Sequence, residues 1–133
     1  MATQIFVNLA VKDLKRSIEF FTAMGYTFNK QFTDETATCM IVADNIFVML
    51  LTEEKFMMFS PKPLCDPAKN TEVLLCLSCD SREGVDEMVR KAVAAGGTTY
   101  REAQEYGFMY GHSYMDPDGH VWELMWMDPA ATE

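Results

Sequence analysis

The sequence predicts an α+β fold built from two βαβββ modules. Three observations carry that prediction. Short runs of period-two apolar alternation surround two stretches with helical spacing, so strands outnumber helices. The order strand, helix, three strands is written twice, with matching positions about seventy residues apart. The chain is 133 residues long, 49% apolar and 23% charged, which suits one globular domain with its own core and excludes disorder. The expected organisation is a single domain over 1–133, with a first module at about 3–52, a connection at 53–70 and a second module at about 71–128.

The first module opens on Ile5 to Val11, where Ile5, Val7 and Leu9 alternate with Phe6, Asn8 and Ala10 as on a strand with two different faces. Asp13 has the chemistry of an N-cap, and Leu14, Ile18 and Phe21 follow at helical spacing until Met24-Gly25 ends the helix. Three extended runs come next, at Tyr26 to Phe32, Ala37 to Val42 and Ile46 to Thr52. The second module repeats the order. Val73 to Cys79 reads as a strand. Asp80 reads as an N-cap with Glu83 as its capping-box partner, and Val85, Met88, Val89, Ala92 and Val93 form the apolar stripe of a helix stopped at Gly96-Gly97. Extended runs return at Thr98 to Glu102, Phe108 to Met115 and His120 to Trp126. Between the modules, Pro61, Pro63 and Pro67 punctuate a connection predicted to hold a short helix over Glu53 to Ser60. Its length suits a lid, a subunit contact or a plain linker.

Charge narrows the partners. A net charge of −9 repels phosphate backbones and anionic lipid, so neither nucleic acid nor membrane is expected as a partner. No run approaches the ~20 apolar residues that a membrane span needs. The opening MATQIFVNLAVKD lacks the charged start and long apolar core of a secretory signal, so a cytoplasmic protein is expected. Cys39, Cys65, Cys76 and Cys79 read as free thiols in a reducing compartment. Cys76 and Cys79 stand three apart on an extended run, which turns them to opposite faces and prevents a shared metal or disulfide.

An opening strand followed by Val11-Lys-Asp-Leu-Lys-Arg-Ser17 with Phe20-Phe21, and a closing Asp116-Pro-Asp-Gly-His-Val-Trp-Glu-Leu124, frame this doubled unit. Together they resemble the vicinal oxygen chelate superfamily, which includes glyoxalase I, the bleomycin resistance proteins, fosfomycin-inactivating enzymes and extradiol dioxygenases. Within it, the chain resembles the small, single-chain, glyoxalase-like proteins of bacteria. The resemblance implies modules curled into a barrel-like mixed sheet around a cavity, with the helices outside. It also implies metal ligands on the first, fourth, fifth and eighth strands, at positions that fall here on Phe6, Met49, Leu74 and Glu123. Only Glu123 has a suitable donor, so no metal and no other cofactor is expected.

Strand parity sets Phe6, Asn8, Phe47, Met49, Leu74, Cys76, Glu123 and Met125 opposite the aliphatic, helix-packing faces, as the lining of a mostly apolar small-molecule pocket. Taking Pro117-Asp118 as the centre of a tight turn sets His112 opposite Glu123, Tyr110 opposite Met125 and Tyr114 opposite Val121. His112 and Glu123 would then be a catalytic acid/base pair, a cation-recognition element or a structural ion pair, with Tyr110 beside them as a ligand contact. The resulting function is a small-molecule-binding, glyoxalase-like protein of unassigned substrate. Two alternatives stand beside it: a lactoylglutathione lyase-like isomerase or lyase, and a bleomycin-resistance-type sequestration of a cationic compound. Whether the chain is a catalyst or a binder stays open at this point. Exposed sheet edges, and the pairing of modules across a twofold axis that the resemblance implies, lead us to expect a homodimer.

Overall fold

In the computed structural model, which describes residues 3–132, the chain divides into two compact units, Met1–Cys65 and Asp66–Glu133. The first contains β1 (Ile5–Val11), α1 (Leu14–Ala23), β2 (Thr27–Asn29), β3 (Ala37–Ala43), β4 (Ile46–Thr52) and α2 (Glu53–Phe59). Its sheet runs β1-β4-β3-β2, with β1 and β4 parallel and the other neighbours antiparallel. Asp13 caps α1 by accepting the Arg16 N–H at 3.1 Å. The buried stripe of α1 is Leu14, Ser17, Phe20 and Phe21, whereas Ile18 is only half-buried. On the sheet, Leu9, Leu50 and Thr38 lie side by side and are fully buried. The opposite face carries Phe6, Asn8, Phe47 and Met49.

The second unit contains β5 (Leu74–Ser78), α3 (Arg82–Ala94), β6 (Gln104–Glu105), β7 (Met109–Met115) and β8 (Val121–Met127). Its sheet runs β5-β8-β7-β6, with β5 and β8 parallel. α3 packs on β7 and β8 and buries Val85, Val89 and Ala92, while Val93 is exposed. Beneath it Tyr114 and Trp122 are paired in register and fully buried, with their rings stacked at a centroid distance of 6.4 Å. Among the described residues, eight strands thus form two four-stranded sheets, and neither sheet closes into a barrel. Among the described residues, no helix is long and apolar enough to cross a membrane.

Local hydrogen bonding corrects four sequence expectations. The Tyr26 to Phe32 strand stops at Asn29, because the Asn29 side chain accepts the Gln31 N–H and turns residues 30–32 into a single helical turn. The cap of α3 is Ser81 rather than Asp80, since the Ser81 hydroxyl accepts the Gly84 N–H at 3.0 Å. The predicted strand at Thr98 to Glu102 reduces to one bridge from Thr98 to Met115, followed by the two-residue β6. There the His112 imidazole, not a strand backbone, bonds the Arg101 carbonyl at 3.1 Å.

The fourth correction concerns register. The β7–β8 turn has three loop residues, because Asp116 pairs with His120 through Asp116 N–H to His120 O. Gly119 sits at φ +100° and adds one residue to the β8 side. Ser113 therefore lies opposite Glu123, His112 opposite Leu124, Tyr110 opposite Trp126 and Tyr114 opposite Trp122. The expected facing of His112 and Glu123 is not formed. The two residues point to opposite faces of the sheet.

Candidate functional site

Each unit presents a sheet face that its core does not use. In the first, Phe6 pairs with Phe47 and Asn8 with Met49. The two phenyl rings stack at 4.8 Å with planes 13° apart. Asn8 donates from its amide to the Phe6 carbonyl at 3.1 Å. Further along this face an open groove of about 530 Å³ is lined by Asn8, Leu51, Phe56, Phe59, Ser60 and Pro61.

In the second unit, Cys76 pairs with Glu123 and Ser78 with Met125, so Leu74, Cys76, Glu123 and Met125 share a face with Ser113 and Gly111 of β7. A pocket of about 130 Å³ opens here. Its floor is Cys76, Gly111, Ser113, Glu123 and Met125, and its wall is Arg101, Gln104, Tyr106 and Met109. Glu123 keeps 31% of its side chain exposed, and its Oε2 stands 3.8 Å from Arg101 Nη2. That distance is too long for a hydrogen bond, so the two charges attract without consuming each other's donors and acceptors. The Arg101 guanidinium lies over the Tyr100 ring at 5.6 Å, and Ser113 donates to the Tyr100 hydroxyl at 3.1 Å. Burial, with the Glu123 charge added, pushes the Cys76 thiol up, which keeps it protonated and weakly nucleophilic at neutral pH.

A second set of bonds holds this wall in place. Arg82, at the start of α3, donates to Glu105 Oε1 at 2.8 Å and to the Gly107 carbonyl at 3.1 Å, with its guanidinium 4.7 Å from the Trp126 ring centre. The turn carrying Gln104 and Tyr106 is thereby clasped to the helix, and Tyr106 donates to Gln104 Oε1 at 3.0 Å.

Of the residues picked from sequence, Phe6, Asn8, Phe47 and Met49 gather on one sheet, and Leu74, Cys76, Glu123 and Met125 on the other. Tyr110 is not among them. It points to the helix side and donates to Asp86 of α3, for the same one-residue reason that moves His112. His112 still borders the Glu123 pocket, at its edge, where its imidazole bonds the Arg101 carbonyl. The register takes Ser113, and not His112, to the position beside Glu123. Arg101, Gln104, Tyr106 and Ser113 were missed by sequence reasoning. Reading Asp116-Pro-Asp-Gly119 as a bulged three-residue turn would have found Ser113. Nothing local marks the other three: Arg101 and Tyr106 lie on irregular chain, and Gln104 opens the two-residue β6.

The residues present do not fit a divalent metal at the positions where the resemblance implies ligands. Phe6 and Met49 in the first unit offer a ring and a thioether, and Leu74 in the second offers no donor, which leaves one carboxylate. Among the described residues, no three His, Cys, Asp or Glu side chains converge where an ion would sit.

Known proteins share this outline. Residues 3–43 match the family model described as bleomycin resistance protein-like N-terminal. The chain is similar to the solved structure of hypothetical protein SA1046 from S. aureus, with 27% identity, 94% of each chain covered and a TM-score of 0.78. It is similar in fold to a glyoxalase/bleomycin resistance protein/dioxygenase family enzyme from Burkholderia phytofirmans PsJN, at 20% identity over 95% of this chain and 99% of that one, with a TM-score of 0.78. The fosfomycin resistance protein FosX from Listeria monocytogenes shares the fold at 16% identity over 98% and 97% of the two chains, with a TM-score of 0.71. Among curated proteins, none matches.

Proposed function

We propose that the chain is a protein of the vicinal oxygen chelate superfamily, a reading supported by its fold and by the match of its opening module, and that it binds a small molecule on the Glu123 face of its second sheet, without a metal at the superfamily's ligand positions. The observation that carries this reading is the partly exposed Glu123 carboxylate in a pocket shared with Arg101, Cys76 and Ser113. A concave pocket in which a few placed polar groups converge beside apolar side chains is a common form of a ligand site. The protein works in this proposal as a cytoplasmic homodimer.

Two features weigh against the alternatives. Metal-assisted isomerisation of the lactoylglutathione lyase type needs an ion to stabilise developing negative charge, and the donors for it are replaced by Phe6, Met49 and Leu74. Sequestration of a bulky cationic drug sits poorly with a pocket of about 130 Å³, below the roughly 300–1,000 Å³ of drug-sized sites, and with Arg101 in its wall. A thermal-shift and calorimetric panel of zinc, nickel, manganese, glutathione adducts, cationic antibiotics and small organic acids tests the reading. The expected result is stabilisation by a small organic compound, lost on Glu123→Gln, with no stoichiometric metal binding. A metal bound one per chain and released by Glu123→Gln would overturn it.

A further inference from the structure

The arrangement around Glu123 restricts what the pocket accepts. Resting on the reading of that face as the ligand site, we propose that its ligand is a small carboxylate carrying a hydroxyl or ammonium group on the carbon next to the carboxyl, with a short apolar tail. Arg101 selects the carboxylate. Its backbone is fixed by the His112 bond to its carbonyl, and its guanidinium is held over the Tyr100 ring. At 3.8 Å from Glu123 the guanidinium makes no hydrogen bond to it, so its planar fork keeps donors for a planar two-oxygen partner. One cation matches one negative charge. A chain of net charge −9 repels ligands with more.

Glu123 selects the neighbouring donor. A plain carboxylate on Arg101 would bring a like charge beside Glu123, which is unfavourable in a partly dry pocket. A hydroxyl or ammonium on the adjacent carbon relieves this by donating to Glu123 while the carboxylate bonds Arg101. The separation of the two protein groups calls for an acceptor and a donor on adjacent atoms of one small molecule. Met109 and Met125 complete the lining and suit a tail of a few carbons. The pocket volume, about 130 Å³, limits the ligand to that size.

The test is a nitrogen-labelled amide chemical-shift titration of the full chain at neutral pH with four probes: α-hydroxybutanoate, α-aminobutanoate, butanoate and α-hydroxybutanamide. The hydroxy or amino acid is expected to shift the amides of Cys76, Gly111 and Ser113 and to bind at least about tenfold more tightly than butanoate, with the neutral amide weaker still. Whichever of the two binds more tightly identifies the donor. Arg101→Gln is expected to erase the preference for acid over amide, Arg101→Lys to retain part of it, and Glu123→Gln to bring butanoate level with the hydroxy acid. Equal binding of butanoate and its substituted forms to the native chain, or unchanged binding to Arg101→Gln, would overturn the proposal. If the acids leave these amides unmoved while another compound of the wider panel shifts them, the ligand class fails and the site stands. If nothing shifts them, both fail.

Discussion

Asp116 and Gly119 divide the construction of the β7–β8 turn between them. Asp116 Oδ1 accepts the N–H groups of Asp118, Gly119 and His120 at 3.0 Å each, and its Oδ2 accepts the indole N–H of the buried Trp122 at 3.0 Å. Burial, with the Asp118 charge added, pushes this carboxyl up, opposed in part by the His120 charge and by the Trp122 and His120 donors. Gly119 supplies the φ of +100° that lets the chain re-enter β8 one residue later, and a Cβ built there would meet the Pro67 carbonyl oxygen at 2.8 Å. Gly119→Ala is therefore expected to cost about 2–3 kcal/mol, combining backbone strain with a clash against main chain that cannot give way. Gly107 has φ +81° and open space around it, so Gly107→Ala should cost only the strain, about 1–2 kcal/mol. Urea unfolding of the two variants checks the difference. Equal losses would mean that the contact with Pro67 relaxes at no cost.

At the scale of elements, periodicity located strands and helices well, because each residue's burial depends mainly on its own element. β4 spans Ile46–Thr52 as the alternation predicts, and α1 begins behind Asp13. What periodicity lacks is the relation between neighbours. The face that Glu123 shares with β7 depends on one extra turn residue, so a correct reading of each strand still paired the wrong residues across the hairpin. The wall of the pocket was less legible again, since Arg101 and Gln104 are positioned by His112 and by the Arg82 clasp rather than by any local pattern. Tyr110 offers a solution test of the observed register. Its bond to Asp86, reinforced by burial, pushes its hydroxyl up to about 12. A raised pKa means that the clasp between β7 and α3 is fully present below the ordinary tyrosine value near 10 and is lost as pH rises through 12. Ultraviolet titration should show a tyrosinate step near pH 12 that disappears in Tyr110→Phe and moves down in Asp86→Asn. If Tyr110→Phe leaves the high-pH step in place, Tyr110 does not face the helix.

For the whole molecule, the arrangement of strands carries a consequence for assembly. β1 is an edge of the first sheet and β5 an edge of the second, each with a hydrogen-bonded neighbour on one side only. These edges are not blunted by charge or proline: β1 reads IFVNLAV and β5 LLCLS. Their large side chains remain open in the single chain, with Ile5 at 55%, Phe6 at 48% and Leu74 at 57% exposure. Edges of this kind attract a further strand or a packed face, and in a soluble chain they are usually covered. A twofold partner covers the same edges on both copies at once, because each copy offers the same patch. We therefore expect a homodimer of about 30 kDa by light scattering at micromolar concentration, against the 15.1 kDa of one chain. Leu74→Asp, which sets a charge on the β5 edge, should move the mass toward the monomer while leaving the far-ultraviolet circular dichroism unchanged. A native chain that scatters as about 15 kDa under those conditions would defeat this assignment, since both edges would then have to tolerate water.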